Sequence, residues 1–404
     1  MKTLIIYYST IPLKKDRLTI KENIFGYKKN LPGRTYLVNY VKGQPKYLIK
    51  IKFDLIILHY SFLGLKFSHP QLLLDYGRKI KNLNGYKIAF PQDEYINSVY
   101  LNKFFNEAKV DQIFTLFISK KEIEKVYPIN ETGINKINTV IPGYVFEESL
   151  IQEEKILPHE EREIDIGYRA RKNPLWLGEF SLRKWQIAEE FLKVKKDNLI
   201  FNISTKTEDT FTGKSWHKFI QNSKFFLGVE GGASYLDSDG KTRDKVNRYI
   251  EKNPDAPYDV IHQLFLTDKN LHINYFTITP RVFEAISFKT CLILMEGYYN
   301  GILIPDKHYI PLKKDYSNID EVFEKMLDKN YVENIVETAY KEIILSNLYT
   351  YKTHVKELLS LMKTDLLISK KRQYGIPFYI FLVKLYTETY NYLYYIKLKI
   401  QKSL

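Results

Sequence analysis

The chain has 404 residues, of which 45% are hydrophobic, 27% charged and 15% aromatic, and that length is two to three times an ordinary domain. Apolar and charged fractions of this size exclude a disordered tail protein, a collagen-like repeat and a disulfide scaffold. Sixty-one Lys and Arg against 47 Asp and Glu leave a formal charge of +14, which calls for an anionic partner. No helix-turn-helix, RNA-recognition or zinc-finger pattern accompanies it, so no nucleic-acid partner is expected.

The single Cys291 lies in the apolar run ending at Met295, which favours a cytoplasmic setting. The N-terminal run around Leu4 to Tyr8 is too short for a signal-peptide core and is followed by Lys14 and Lys15, so it reads as a first strand. No stretch reaches the roughly 18 apolar residues of a spanning helix. A cytoplasmic protein, resting at most on the inner face of the membrane, is expected.

In chain order, strands are predicted at Leu4–Tyr8, Asp54–His59, Lys87–Phe90, Gln112–Phe117 and Ile137–Ile141, with helical periodicity between them, as over Pro70–Lys79. Continuous apolar strands separated by helices mark a parallel sheet covered on both faces. Residues 152–163 are charged, carry Pro158 and have no apolar period, and read as a linker. The alternation resumes at Ile164–Gly167, a helix over Leu182–Val194, strands at Asn198–Ile203 and Phe225–Val229, a helix from Pro280, and a strand over Thr290–Met295. Two Rossmann-like, doubly wound α/β domains are therefore expected, over residues 1–150 and 164–350, with 151–163 as linker. Ligands of open parallel sheets bind beyond the strands' carboxyl ends, which places a central cleft between two facing domains. The helical tail, 351–404, is expected to return to the first domain. Its last 35 residues hold seven Lys or Arg, one Glu and nine aromatics. Two readings of residues 370–404 stand: an amphipathic helix on an anionic membrane surface, or a helix packed back on the first domain.

The sharpest local signal is Thr279-Pro-Arg281-Val-Phe-Glu284. Thr279 suits an N-cap and Pro280 the first helical position, so the helix presents unpaired amides and its positive dipole end. Arg281 in the first turn suits a phosphate, and Glu284 one turn on suits the two hydroxyls of a ribose. A plain capped helix explains the same spacing. Gly231 and Gly232, after the strand at Phe225–Val229, lie where amides can approach a ligand, with Glu230 and Ser234 beside them, or form a tight turn. Asp237-Ser-Asp239-Gly240 reads as a turn before it reads as a metal pair, and no metal or other cofactor is expected. Arg169 and Arg171 stand on a cationic loop after Ile164–Gly167 and suit a leaving diphosphate; Arg183 and Lys184 follow on the next helix. Asp93, Glu94 and His59 fall at strand ends of the first domain, where a general base would sit, although such residues are more often loop hydrogen-bonders. Trp176, Trp185 and Trp216 read as packing.

The run from Arg281 to Asp320, together with Phe90-Pro-Gln-Asp93-Glu94-Tyr95 and Leu227-Gly-Val-Glu230-Gly-Gly-Ala-Ser234, resembles two-domain GT-B glycosyltransferases, most nearly the CgeB-like and capsule-type enzymes. The resemblance implies transfer of a sugar from a nucleotide-diphosphate sugar to a glycan or lipid-linked glycan acceptor of the cell surface. It also implies that Glu284 holds the ribose and that the loop before it, with the cationic loop at Arg169, meets the diphosphate. The family's better-known retaining pattern carries a second glutamate eight positions earlier, where this chain has Phe276. Whether configuration is retained or inverted stays open, as does whether Glu230 supplies the missing contact. A non-catalytic glycan-binding protein on the same scaffold is the alternative, and it predicts no nucleotide affinity.

Overall fold

Runs of β-branched and aliphatic residues just long enough to cross a domain build two parallel sheets in this chain. The computed structural model describes residues 1–194, 196–362, 365–366 and 376–403. The chain divides into two units: unit 1 comprises Met1–Val140, Ser238–Gly240 and Val355–Leu404, and unit 2 comprises Ile141–Asp237 and Lys241–His354.

In unit 1, strands β1 (Lys2–Tyr7), β2 (Arg34–Asn39), β3 (Lys52–Leu58), β4 (Asn84–Ala89), β5 (Gln112–Thr115) and β6 (Ile137–Thr139) pair in parallel in the order β2-β1-β3-β4-β5-β6. Leu4 to Ile6 and Leu55 to Leu58 are fully buried, because α1 (Leu18–Asn30), α2 (Pro70–Ile80) and α3 (Ser98–Ala108) supply the crossovers that cover a parallel sheet. Strand β2 is absent from the sequence-based expectation. Its Arg34-Thr-Tyr half is partly exposed and only Leu37 to Asn39 are buried, so at the sheet's edge it carries too short an apolar run to stand out.

Unit 2 repeats the plan. Strands β7 (Ile164–Arg169), β8 (Phe201–Ser204), β9 (Ser223–Gly228), β12 (Cys291–Met295) and β13 (Ile310–Leu312) form a parallel sheet in the order β13-β12-β9-β7-β8. In both units the first strand has the second on one side and the third on the other. Ligands of such sheets bind at that switch point, beyond the carboxyl ends. A separate antiparallel pair, β10 (Gly231–Tyr235) with β11 (His272–Thr277), joins Gly231 to Thr277 and Gly232 to Phe276. The helices that matter below are α4 (Glu179–Lys193), α5 (Lys214–Gln221), α6 (Lys241–Lys252), α7 (Tyr258–Phe265) and α8 (Pro280–Ser287).

The stretch expected as a linker is tied to unit 2. Arg162 is buried and its guanidinium donates to the carbonyls of Leu157, Ser223 and Phe288 and to Thr290 Oγ1, at 2.7–3.1 Å. A charge run without apolar period is solvated only if none of its members finds partners, and Arg162 finds four.

The chain re-enters unit 1 within α9 (Tyr351–Leu361) and ends in α10 (Ile376–Ser403), which lies along β2. Asn391 is buried and donates its amide to the carbonyls of Ser9 and Ile11, at 3.1 and 3.3 Å. Residues 363, 364, 367–375 and 404 of the tail lie outside the described residues. Among the described residues, no helix is long and apolar enough to cross a membrane.

Candidate functional site

Unit 2 gathers its polar side chains beyond the carboxyl ends of β7, β9 and β12. After β9 the chain runs through Val229 and the buried Glu230 into β10. Glu230 Oε1 accepts from the Tyr299 amide at 2.7 Å. A Cβ at Gly297 would stand 2.4 Å from Glu230 Oε2, so a side chain there would push the carboxylate from its place. Burial raises the Glu230 pKa, and the Tyr299 and Tyr298 amides, Lys314 and Arg183 oppose the rise.

Glu230 lines a cavity of about 520 Å³ whose walls include Phe180 and Arg183 of α4, Ser234 of β10, Phe276 of β11, and Tyr298 and Lys314. That volume falls within the range of small-molecule sites. Its apolar wall is aromatic: Phe276 stands edge-on to Tyr298 at 6.2 Å and lies 6.3 Å from Phe180, over which the Arg183 guanidinium rests at 4.8 Å. Ser234 Oγ accepts from the Phe180 amide at 3.2 Å, which pins the start of α4 to the hairpin.

A second group surrounds the start of α8. Trp216 of α5 donates its indole N–H to Glu284 Oε2 at 2.7 Å, and Glu284 Oε1 has no hydrogen bond among the described residues. Arg281 lies over the same indole at 5.5 Å and donates to the Arg169 carbonyl at 2.9 Å. Burial raises the Glu284 pKa, opposed by Trp216 and Arg281. Thr279 precedes the helix as expected, but its hydroxyl makes no cap and, though buried, has no hydrogen-bond partner among the described residues. A Cβ at Gly231 would come within 3.1 Å of Thr279 Cγ2 and 3.9 Å of Lys184 Nζ. The start of α8, the first residue of β10 and an ammonium therefore meet at one place, a helix N-terminus beside a cation.

Several expected residues take other roles. Arg169 is folded back on its own sheet, donating to the carbonyls of Asp209, Tyr168 and Asn202 and to Asn202 Oδ1, with Phe211 and Phe219 against its plane. Its guanidinium is spent on the fold, and its carbonyl orients Arg281. Arg171 is exposed. Gly231 and Gly232 form no ligand-cradling turn but belong to β10, where a Cβ on Gly232, at φ +155°, would stand 1.9 Å from the Tyr275 carbonyl oxygen. Asp237 accepts from the amides of Thr242 and Arg243 at 3.1 and 3.2 Å and so caps α6.

In unit 1, His59 is buried with both ring nitrogens engaged: Nδ1 accepts from the Ser61 amide at 3.1 Å and Nε2 meets Asn23 Oδ1 at 3.0 Å. Burial pushes its pKa down to about 3. Glu94 is also buried and accepts from Thr115 Oγ1 at 2.5 Å, from the Leu116 amide at 2.7 Å and from Tyr127. Burial raises its pKa, against those hydrogen bonds and Lys66. Asp93 is exposed, at φ 47°, and accepts from the Tyr95 hydroxyl at 2.9 Å. Of the three acids and bases expected here, Asp93 alone presents itself to solvent.

Sequence reasoning missed Trp216, Phe180 and Lys314. Trp216 lies 68 positions from Glu284, and no local pattern links them; the sequence alone reads it as packing.

No family model and no curated protein matches the sequence. Among solved structures, the DNA-modifying enzyme β-glucosyltransferase, determined with and without uridine diphosphoglucose, superposes with TM-score 0.52 at 10% identity, covering 90% of this chain and 100% of that one. Anabaena HepE in complex with UDP-glucose gives 0.47 at 9% identity over 89% of this chain and 99% of its own. TarM gives 0.41 at 13% identity over 78% of this chain, which spans 56% of TarM's length. The likeness to β-glucosyltransferase shows the fold: the chain is built from the two parallel-sheet α/β units of the GT-B architecture.

Proposed function

We propose that the chain is a glycosyltransferase that takes a sugar from a nucleoside-diphosphate sugar and passes it to a hydroxyl of a glycan or lipid-linked glycan of the cell surface. Unit 2 holds the donor. The observation that carries this reading is the sequence of sites along one edge: Glu284 with an oxygen to spare, then the α8 start with Lys184, then the cavity at Glu230. In that order they suit a ribose, a diphosphate and a sugar. The solved β-glucosyltransferase structure with uridine diphosphoglucose supports a sugar donor of this class, and the motifs around Glu284 favour the CgeB-like and capsule-type branch.

In the reaction, the acceptor oxygen forms a bond to the anomeric carbon as the bond from that carbon to the diphosphate breaks. The acceptor proton passes to a carboxylate, for which Asp93 is the exposed candidate. The departing diphosphate keeps the electron pair, and Lys184, Arg281 and the α8 amides offset its charge. Arg171 and Arg183 are further cations for it. Glu230, partly protonated at higher pH than an ordinary carboxyl, serves as donor or acceptor to sugar hydroxyls.

A thermal-shift panel of UDP, GDP, CDP, TDP and ADP tests the donor site. One nucleotide at about a hundredfold its Kd stabilises the native chain by about 2.7 kcal/mol. Glu284→Ala keeps its unliganded midpoint to within the small cost of one lost hydrogen bond and loses most of the shift. A panel with no shift, or a variant that binds like the parent, removes the assignment.

A further inference from the structure

The last helix leaves one of its faces uncovered. Phe378, Phe381, Leu385, Tyr392 and Ile396 are 38–61% exposed and follow one another at intervals of three, four, seven and four residues, which is a single stripe along an α-helix. Ile380 and Asn391, at other angular positions, are buried against unit 1. The helix is thus anchored on one side and apolar on another.

Cations border it. Lys15 lies 4.9 and 4.7 Å from the rings of Tyr392 and Tyr395, and Lys42 lies 3.4 Å from the ring of Tyr390. Lys397 is exposed near the helix end. In sequence, the helix holds four Lys and one Glu. An exposed apolar stripe rimmed by Tyr and Lys fits a surface that is apolar below and anionic above. A second copy of the same face would oppose like charges, so self-association is the poorer match.

We propose that this face of α10 seats unit 1 on an anionic lipid surface. The stripe enters the boundary between headgroups and acyl chains, while Lys15, Lys42 and Lys397 face the headgroup phosphates. The inference stands apart from the donor site, which belongs to unit 2, and a chain that binds no nucleotide could still dock in this way.

Sedimentation of the full chain with phosphatidylcholine vesicles, with and without phosphatidylglycerol, tests it. The parent chain is expected to bind the anionic vesicles, more weakly as salt rises, and to leave the neutral ones in solution. The pair Phe381→Asp and Leu385→Asp, placed on exposed positions, is expected to weaken vesicle binding at least about tenfold, with the thermal midpoint and any nucleotide shift unchanged. Lys15→Gln with Lys42→Gln is expected to cost several-fold and to flatten the salt dependence. Tyr392→Trp supplies a second readout, with emission moving to the blue on anionic vesicles. The proposal is overturned by failure of the parent to bind anionic vesicles, by equal binding of the aspartate pair, or by a dimer in solution that this pair dissociates.

Discussion

A histidine at a strand's end is a general base only if a ring nitrogen can take a proton, and His59 has both engaged. Its consequence is for stability. A histidine depressed to about 3 from 6.5 contributes stability that is full above pH 6.5 and is lost as pH falls toward 3, because only the unfolded state takes the proton readily. His59→Asn retains an oxygen for the Ser61 amide and gives up the contact with Asn23. At pH about 7.5 that variant should be less stable by about 1–2 kcal/mol. The gap should narrow by up to about 1.4 kcal/mol per pH unit below pH 6, since the asparagine carries no proton penalty. Urea midpoints of both chains at pH 7.5 and 5 check this, and a constant gap would mean that His59 titrates normally. At this scale the sequence exposes residue types and their neighbours: it places Thr279, Arg281 and Glu284 at the start of one helix, as the structure does, but does not show that the Thr279 hydroxyl makes no cap. It could not separate Asp93 from Glu94, which are adjacent, because burial by Thr115, Leu116 and Tyr127 is decided more than 20 positions away.

Elements were most legible where the chain carries an apolar run bounded by turn residues. Strands β1, β3 and β12 are nearly continuous apolar runs, as a parallel sheet covered on both faces requires, and β4, β5, β7 and β9 carry shorter apolar stretches that also stand out. The exceptions are the half-exposed edge strand β2, the three-residue β13 and the antiparallel pair β10–β11. Gly-Gly-Ala-Ser-Tyr reads locally as a turn, and it becomes a strand because β11, some 40 residues later, requires a backbone without side chains against its Tyr275 carbonyl. The two glycines therefore differ in what they tolerate. Gly232→Ala meets backbone at 1.9 Å and a φ of +155°, so it should cost about 3 kcal/mol or more and disorder the hairpin that forms one cavity wall. Gly231→Ala meets a threonine methyl at 3.1 Å, which a small rotation relieves, and should cost about 1 kcal/mol or less. Melting temperatures rank the pair; equal losses would mean that the hairpin's register does not depend on Gly232.

The whole molecule repeats one strand order in two units, each with its own buried sheet, and a domain with its own core can unfold as a unit. The chain's three tryptophans, Trp176, Trp185 and Trp216, all belong to unit 2, so indole emission follows unit 2 while far-ultraviolet circular dichroism follows both. A nucleotide bound at Glu284 and the Glu230 cavity, as proposed, would stabilise first the unit that holds them. In urea, the two probes should therefore give non-coincident curves. The nucleotide that shifts the thermal midpoint should move the emission curve to higher denaturant, and should move only the corresponding part of the dichroism curve. The chain crosses between units at residues 140–141 and 354–355, with Ser238–Gly240 lent to unit 1 between β10 and α6. How far the remaining dichroism transition moves measures the stabilisation that those crossings transmit. Coincident curves with and without nucleotide would mean that the two cores unfold as one, and then Trp216, which donates to Glu284, would report the ligand without reporting where in the chain its stabilisation is held.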